Sequence, residues 1–131
     1  MPHVKLESEL HVITPNEPGI LGRIFGTLSN AGVNLRAICV YSEKKEGNFL
    51  LLTSDNKKAE KALKALGYRV KNDTVVAVQI DDRLGAGAEI GALLGNAMID
   101  VIYCYGSSAK SGKAFLVFKT SDNKKAIRTL S

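Results

Sequence analysis

A seven-residue block occurs twice in this chain of 131 residues. Residues 53–59 read Thr-Ser-Asp-Asn-Lys-Lys-Ala, and the same letters return 67 positions later, at residues 120–126. Further upstream, matches recur at a spacing of 66, so one inserted residue separates two copies of a longer unit. The upstream pairs are Gly19 with Gly85, Ile24 with Ile90, Leu28 with Leu94, and Asn30-Ala31 with Asn96-Ala97. The chain is therefore a duplication whose repeat is too long for a solenoid unit.

The duplication predicts two domains, residues 1–72 and residues 73–131. The inserted residue is expected in a hairpin loop, where polar stretches at 42–47 and 106–112 correspond and extra residues are tolerated. A unit of about 65 residues buries only ~60% of its unfolded surface, so we expect the two copies to pack against each other.

Composition narrows the possible partners and the compartment. Lys57, Lys61 and Lys64 share one face of a predicted helix, as on an ordinary solvated surface, so the net charge of +5 alone names no polyanion partner. No charged n-region with an apolar h-region follows Met1, so no leader is expected, and no apolar run reaches the roughly 18 residues of a membrane span. Cys39 and Cys104 do not align in the repeat, so reduced thiols are expected. We therefore expect a cytoplasmic protein.

Hydrophobic periodicity predicts the order βαββαβ for the first copy. The predicted elements are a strand at 4–12, a helix at 20–31, strands at 34–41 and 48–53, a helix at 55–66 and a strand at 68–70, followed by a polar turn at 71–74. The second copy repeats the order at 75–80, 88–98, 99–105, 114–119 and 121–130 but lacks a last strand. This pattern indicates an α+β fold with both helices on one face of each antiparallel sheet. The missing strand leaves an edge that we expect a second chain to cover in a homodimer.

Residues at the ends of the helices also have predicted roles. Asn16 is a candidate N-cap for the first helix, with Pro18 in its first turn, and Gly32 is placed to end that helix. Ser54 or Asp55 is expected to cap the second helix. Ser121 or Asp122 is expected to cap the last helix.

The first copy carries the residues of a known family. Val-Ile-Thr-Pro-Asn-Glu-Pro-Gly-Ile-Leu-Gly at 12–22, followed by Leu-Ser-Asn-Ala-Gly-Val-Asn-Leu at 28–35, resembles an ACT domain. That family is typified by a strand, an Asn/Asp-x-Pro-Gly turn, an apolar helix, and a Gly-Val/Ile-Asn-Leu/Ile entry to the second strand. Residues 82–85 and 97–101 are a diverged version. The chain is thus similar to short bacterial and archaeal proteins made of two tandem ferredoxin-like ACT domains.

The resemblance implies a regulatory protein that binds a small ligand, usually an amino acid, at the junction between two ACT units. It implies no cofactor, metal ion or catalytic residue. The ligand-binding candidates are Asn16, Glu17, Pro18, Gly19, Ile20, Leu21, Asn34, Leu35, Asp81, Asp82, Gly85 and Asp100.

In the first copy, simple chemistry supports these candidates. Gly19 lacks a side chain, so a ligand carboxylate could reach the N–H groups of Ile20 and Leu21 at a helix N-terminus. The Asn34 amide could contact an ammonium or a carboxylate. The structural alternatives are that Asn16 caps the helix and that Asn34 satisfies a turn.

The second copy departs from the family pattern. Asp81, Asp82 and Asp100 are candidate ammonium partners, or they cap and solvate loops. Asp100 replaces Asn34 and so removes a hydrogen-bond donor, and the turn at Gly85 is richer in small residues. We therefore expect one complete site and one altered site.

Other function classes have weaker sequence support. No catalytic triad, phosphate-binding loop or paired-cysteine metal motif is present, which argues against an enzyme. A ferredoxin-like RNA-binding module is the main alternative, but the strand at 48–53 lacks the basic and alternating aromatic residues that bind bases, so no nucleic-acid partner is expected. A regulatory subunit that signals to a partner enzyme remains an open alternative to a free-standing sensor.

Overall fold

The structure is a computed structural model that describes residues 2–109 and 111–131; Lys110, in the predicted loop at 106–112, lies outside these ranges. The elements within them are β1 (His3–Pro15), α1 (Ile20–Asn30), β2 (Leu35–Glu43), β3 (Glu46–Thr53), α2 (Asn56–Lys64), β4 (Arg69–Asp81), α3 (Ala86–Asn96), β5 (Val101–Ser108), β6 (Lys113–Thr120) and α4 (Asn123–Leu130). The strand pairs β1–β3, β2–β3, β4–β6 and β5–β6 are antiparallel. The predicted α+β class and tandem βαββαβ order are confirmed.

The chain forms two compact units, and β1 and β4 each contribute to both of them. The first unit is Ser8–Asp73, in which the strand order is β2-β3-β1-β4. The second unit joins the described residues up to Glu7 with Thr74–Ser131, and its order is β1-β4-β6-β5. The described residues up to Glu7, which the sequence prediction assigned to the 1–72 domain, thus group with the second unit.

Residues 3–7 of β1 take the place of the last strand that the second copy lacks in its own sequence. Val4 packs against the core of the second unit, and Val70, at the equivalent position 66 residues later, packs against the core of the first. This arrangement removes the reason for expecting a second chain at that sheet edge.

The predicted polar turn at 71–74 is wrong, because β4 is one strand of 13 residues. Lys71, Asn72 and Thr74 are exposed, and the Asn72 amide donates to the Glu60 carboxylate. These side chains are polar because they face solvent. Strand pairing overrides their turn propensity.

Each unit has a hydrophobic core on the helix-bearing face of its sheet. The two cores correspond at the repeat spacing except that Phe49 of the first and Ile80 of the second have no counterpart in the other core. The first contains Leu10, Val12, Ile20, Ile24, Leu28, Val33, Phe49, Leu51, Ala59 and Leu63. The second contains Val76, Val78, Ile80, Ala86, Ile90, Leu94, Ile99, Phe118, Ala126 and Leu130. Cys39 and Cys104 are both free thiols.

The repeated block caps a helix and ties it to a strand. Asp55 is the N-cap of α2, and its carboxylate accepts from the Lys58 N–H at 3.1 Å. Thr53 Oγ1 donates to Asn56 Oδ1 at 2.6 Å, and the Asn56 amide donates to the Ser8 carbonyl at 2.9 Å. One of the two predicted caps is thereby confirmed.

The second copy repeats these contacts. Asp122 caps α4 and accepts from the Lys125 N–H at 3.0 Å, and the Asn123 amide donates to the Thr74 carbonyl at 2.8 Å. Ser8 and Thr74 are the positions at which β1 and β4 pass from one unit to the other. The block therefore holds each helix to the strand at its crossing point.

Candidate functional site

The first helix begins at a glycine in the left-handed conformation. Gly19 is the N-cap of α1 with φ 91°, and no side chain caps the helix. The predicted N-cap Asn16 is wrong, because the N-cap position is occupied by Gly19. The backbone N–H of Asn16 donates to the Lys45 carbonyl at 3.1 Å and so ties the loop to the β2–β3 hairpin. Pro18 precedes the helix instead of lying in its first turn. Gly19, which has a positive φ, is the N-cap and separates Pro18 from Ile20, the first residue of α1.

The two kinds of helix start differ chemically. Asp55 and Asp122 cap α2 and α4, whereas α1 and α3 begin after Gly19 and Gly85 without a side-chain cap. The first N–H groups of a helix have no intrahelical partner and attract anions. In α1 the first intrahelical bond joins the Arg23 N–H to the Gly19 carbonyl at 3.0 Å, and the first turn contains no acidic residue. The start of α1 is therefore suited to a carboxylate.

A cleft of about 350 Å³ lies at this helix start, entirely within the first unit. Its lining residues are Thr14, Pro15, Asn16, Glu17, Pro18, Gly19, Ile20, Leu21, Val40, Tyr41, Ser42, Gly47 and Phe49. The structure thus brings together the six candidates at 16–21. The rest of the wall, from Thr14 and Pro15 at the end of β1 and from the β2–β3 hairpin, was missed. The hairpin itself was predicted, but the packing of its turn end beside the helix start has no local sequence signal.

The hairpin wall is closely fitted to β1. Gly47 pairs with Thr14 across the sheet, and a Cβ atom on Gly47 would lie 2.7 Å from Thr14 Oγ1. Tyr41 is 40% exposed in the cleft. Burial, and next the carboxylate of Glu43, raise the pKa of Tyr41 above its ordinary value, so its hydroxyl stays protonated at neutral pH. The cleft therefore contains a hydroxyl donor besides the helix N–H groups.

Asn34 and Leu35 lie at the opposite end of α1. They line a separate depression of about 280 Å³ with Phe25, Leu28 and other residues of that helix end. Because α1 has 11 residues, its ends are about 16 Å apart. Asn34 also has a structural role, since its N–H donates to Ser54 Oγ at 3.0 Å and its carbonyl accepts from the Ser54 N–H at 2.9 Å.

The candidates in the second copy are dispersed. Asp100 makes the same two contacts with Ser121, at 3.0 and 2.9 Å, as Asn34 makes with Ser54. The repeat alignment of Asn34 with Asp100 is therefore correct in three dimensions. Gly85, with φ 87°, matches Gly19 and lies at the N-terminal end of α3, whereas Asp100 follows its C-terminal end.

Asp81 and Asp82 close the β4 end of the second unit. Lys113 donates a hydrogen bond to the exposed Asp81 carboxylate, which lowers the pKa of Asp81. The Asp82 N–H donates to the Gly112 carbonyl at 2.8 Å. Among the described residues, no group of three acidic, histidine or cysteine side chains could hold a metal ion. No helix in the described ranges is long and apolar enough to cross a membrane.

Comparison with known proteins decides the family. The sequence profile of the ACT domain pair matches residues 6–130. The chain belongs to this family. The predicted resemblance to tandem ACT domains is confirmed, and the match extends over both copies.

Solved structures share the fold of this ACT domain pair. A protein from Bacteroides thetaiotaomicron is 27% identical, with a TM-score of 0.89 over 97% of this chain and 88% of that chain. The ligand-free regulatory subunit of aspartate kinase from Thermus thermophilus is 13% identical, with a TM-score of 0.69 over 97% of this chain and 93% of that chain. No curated protein matches the sequence.

Proposed function

We propose that this ACT domain pair is a regulatory protein whose cleft at the start of α1 binds a free amino acid. The observation that carries the proposal is the uncapped helix start at Gly19, which opens into a cleft of about 350 Å³. Membership of the ACT family supports a regulatory role with a small ligand.

The cleft offers complementary groups for each part of an amino acid. The ligand carboxylate accepts from the N–H groups of Ile20 and Leu21 and is favoured by the helix dipole. Glu17, an exposed carboxylate in the same wall, pairs with the ligand ammonium. Val40 and Phe49 supply apolar surface for the ligand side chain. The predicted position of the ligand between two ACT units stays a prediction.

The output of binding is proposed to be control of a partner enzyme. A regulatory subunit of aspartate kinase has this fold, although at 13% identity. The likeness supports the architecture of such a subunit and leaves the enzyme to be found. Pull-down from native cells with and without amino acids should show a partner whose retention depends on the ligand.

A thermal-shift screen of the common amino acids tests the proposed ligand class. A ligand at 100 times its dissociation constant stabilises the folded state by about 2.7 kcal/mol. We expect at least one amino acid to raise the unfolding temperature. A complete absence of shifts would contradict the proposal, and steeply salt-dependent RNA binding unaffected by amino acids would favour the nucleic-acid alternative.

Two glycine variants locate the site. Gly19→Ala and Gly85→Ala introduce the same strain, because both glycines have positive φ, at 91° and 87°, and neither Cβ would meet another atom within 4 Å. Both variants should lose similar stability, but only Gly19→Ala should weaken amino-acid binding, measured by calorimetry. Equal binding by the two variants would place the ligand elsewhere.

Glu17→Gln tests whether Glu17 contacts the ammonium group of the ligand. The variant should weaken binding of the amino acid but leave binding of the matching carboxylic acid, which lacks the ammonium, unchanged. An equal loss for both ligands would show that Glu17 does not contact the ammonium.

A further inference from the structure

A second cleft of about 350 Å³ lies in the second unit. Its residues Ile80, Asp81, Arg83 and Ala86 are the repeat counterparts of residues that line the cleft at Gly19, whereas the rest of its lining has counterparts outside that cleft. It lies between α3, the end of α4 and the N-terminal Pro2. Its apolar wall includes Ile80, Ala86, Ile90 and Leu130. A charged pair is also part of the lining, as the Arg83 guanidinium donates to the Glu89 carboxylate.

The first unit fills the equivalent space with its own tyrosine. Tyr68 is the counterpart of Pro2 at the spacing of 66, and its partly buried ring packs against the first core. Its hydroxyl oxygen accepts from Arg23 Nη1 at 3.4 Å. Arg23 is in turn the counterpart of Glu89, a residue of the second cleft.

Two smaller side chains open this space in the second unit. Pro2 stands for Tyr68, and Ala86 stands for Ile20, which is a core residue of the first unit. Two core residues of the wall keep their type, since Ile90 matches Ile24 and Leu130 matches Leu63. Ile80 and Leu93 add apolar surface where the first unit has threonines. The cleft is therefore a site from which an aromatic side chain has been removed while most of its apolar wall remains.

We propose that this cleft binds a small molecule that carries a 4-hydroxyphenyl ring. The ring takes the position that Tyr68 has in the first unit and contacts Ala86 and Ile90. The charge at the hydroxyl is reversed relative to the first unit. Arg23 donates to the phenol oxygen there, whereas the Glu89 carboxylate accepts from the ligand O–H.

The ion pair with Arg83 keeps Glu89 in the form that accepts a hydrogen bond from the phenol. Arg83 donates to both Glu89 carboxylate oxygens and lowers the pKa of that group, so Glu89 is ionised at neutral pH. Each carboxylate oxygen can accept more than one hydrogen bond, so the ion pair leaves capacity for a phenol. The guanidinium at the same place also favours a ligand with a further acidic group.

Titration with 4-methylphenol, followed by amide NMR spectra, tests the proposal. A ligand of this size is expected to bind with a dissociation constant on the order of 1 mM. Amide resonances of Ala86, Ile90 and Leu130 should shift, and those around Gly19 should not. 4-Methylanisole, which has the same ring without the O–H donor, should bind several-fold more weakly. Equal affinity for the two compounds, or shifts confined to the Gly19 cleft, would overturn the proposal.

Ala86→Ile is the decisive variant, because it restores the residue that the first unit has at Ile20. It should weaken 4-methylphenol binding at least about tenfold, whereas the exposed Ala88→Ile on the same helix should retain it. If Ala86→Ile does not fold, Pro2→Tyr provides a second way to fill the cleft. Unchanged affinity in the folded filling variant would contradict the proposal. Amino-acid binding at the first cleft is independent of this result.

Discussion

At the scale of single residues, one asparagine in each copy has an importance that its sequence position hides. Asn56 and Asn123 look like ordinary polar residues at a helix start. Each donates across to a strand carbonyl, at Ser8 and Thr74 respectively, and each accepts from the threonine three residues earlier. The block is therefore identical in both copies for a structural reason.

Asn56→Ala should destabilise the protein by about 1–2 kcal/mol, because it removes two hydrogen bonds and leaves polar partners unsatisfied. The free energy of unfolding in urea measures the effect. The adjacent Lys57→Ala is the control, since Lys57 is exposed. A loss no larger than that of the control would show that the contact to Ser8 is unimportant.

The pair formed by Asp81 and Lys113 predicts a titration. The ammonium lowers the pKa of Asp81 from its ordinary 3.8, so the pair stabilises the fold above the unfolded pKa and this contribution is lost as pH falls through the folded pKa. Lys113→Met should return the pKa of Asp81 toward 3.8, measured by carboxyl NMR. Salt should have a similar effect, because the pair is exposed. An unaltered titration in Lys113→Met would contradict this assignment.

At the scale of elements, α1 and α3 end in the same motif with different residues. Gly32 has φ 74° after α1, as the sequence predicted, and the Gly32 and Val33 N–H groups close the helix end. Met98 holds this position after α3 with φ 59°. A side chain in this conformation costs about 1–2 kcal/mol, and Met98 is 86% exposed, so little packing offsets the strain.

Met98→Gly should therefore stabilise the second unit by about 0.5–1 kcal/mol, after the greater flexibility of the unfolded glycine chain is deducted. Met98→Ala keeps the Cβ and should give no such gain. Thermal unfolding of the three proteins measures the difference. Equal stability of the glycine and alanine variants would show that Met98 is not strained.

The sequence predicted the local features of these elements better than the contacts between elements. Gly32 and Asp55 follow from local backbone chemistry, and both predictions are confirmed. Asn16 is not the N-cap because α1 begins after Gly19, and the Asn16 backbone instead contacts Lys45 in the hairpin, which is distant in the sequence. Asn34 and Gly19 are both family motif residues, but the length of α1 separates them. The set of residues that line the cleft could therefore be identified only from the folded structure.

At the scale of the whole molecule, β1 and β4 each contribute residues to both units. Local pattern cannot reveal this, because Val4 and Val70 hold equivalent positions in the repeat and nothing near either residue in the sequence specifies which core it contacts. The predicted boundary at residue 72 followed the repeat and therefore cut the chain at the strand that the units share. Pairing between residues distant in the sequence determines which unit each part of β1 and β4 joins.

Removal of residues 1–7 should selectively destabilise the second unit, because it loses its last strand and the packing of Val4. Hydrogen exchange should show faster exchange in β4 and β6, with β3 protected longer. A rearranged chain in which residues 1–7 follow Ser131 through a flexible linker should restore protection. Uniform loss of protection throughout the shortened chain would contradict this selectivity.

The shared strands also affect the order in which the protein can fold during synthesis. The first unit is complete in sequence once Asp73 has left the ribosome. Residues 3–7 emerge before it but must wait for the partners that begin at Thr74. Until then a segment of nascent chain has an unpaired edge that chaperones or foreign strands can reach. Translation speed through the second half of the message should therefore influence the yield of native protein.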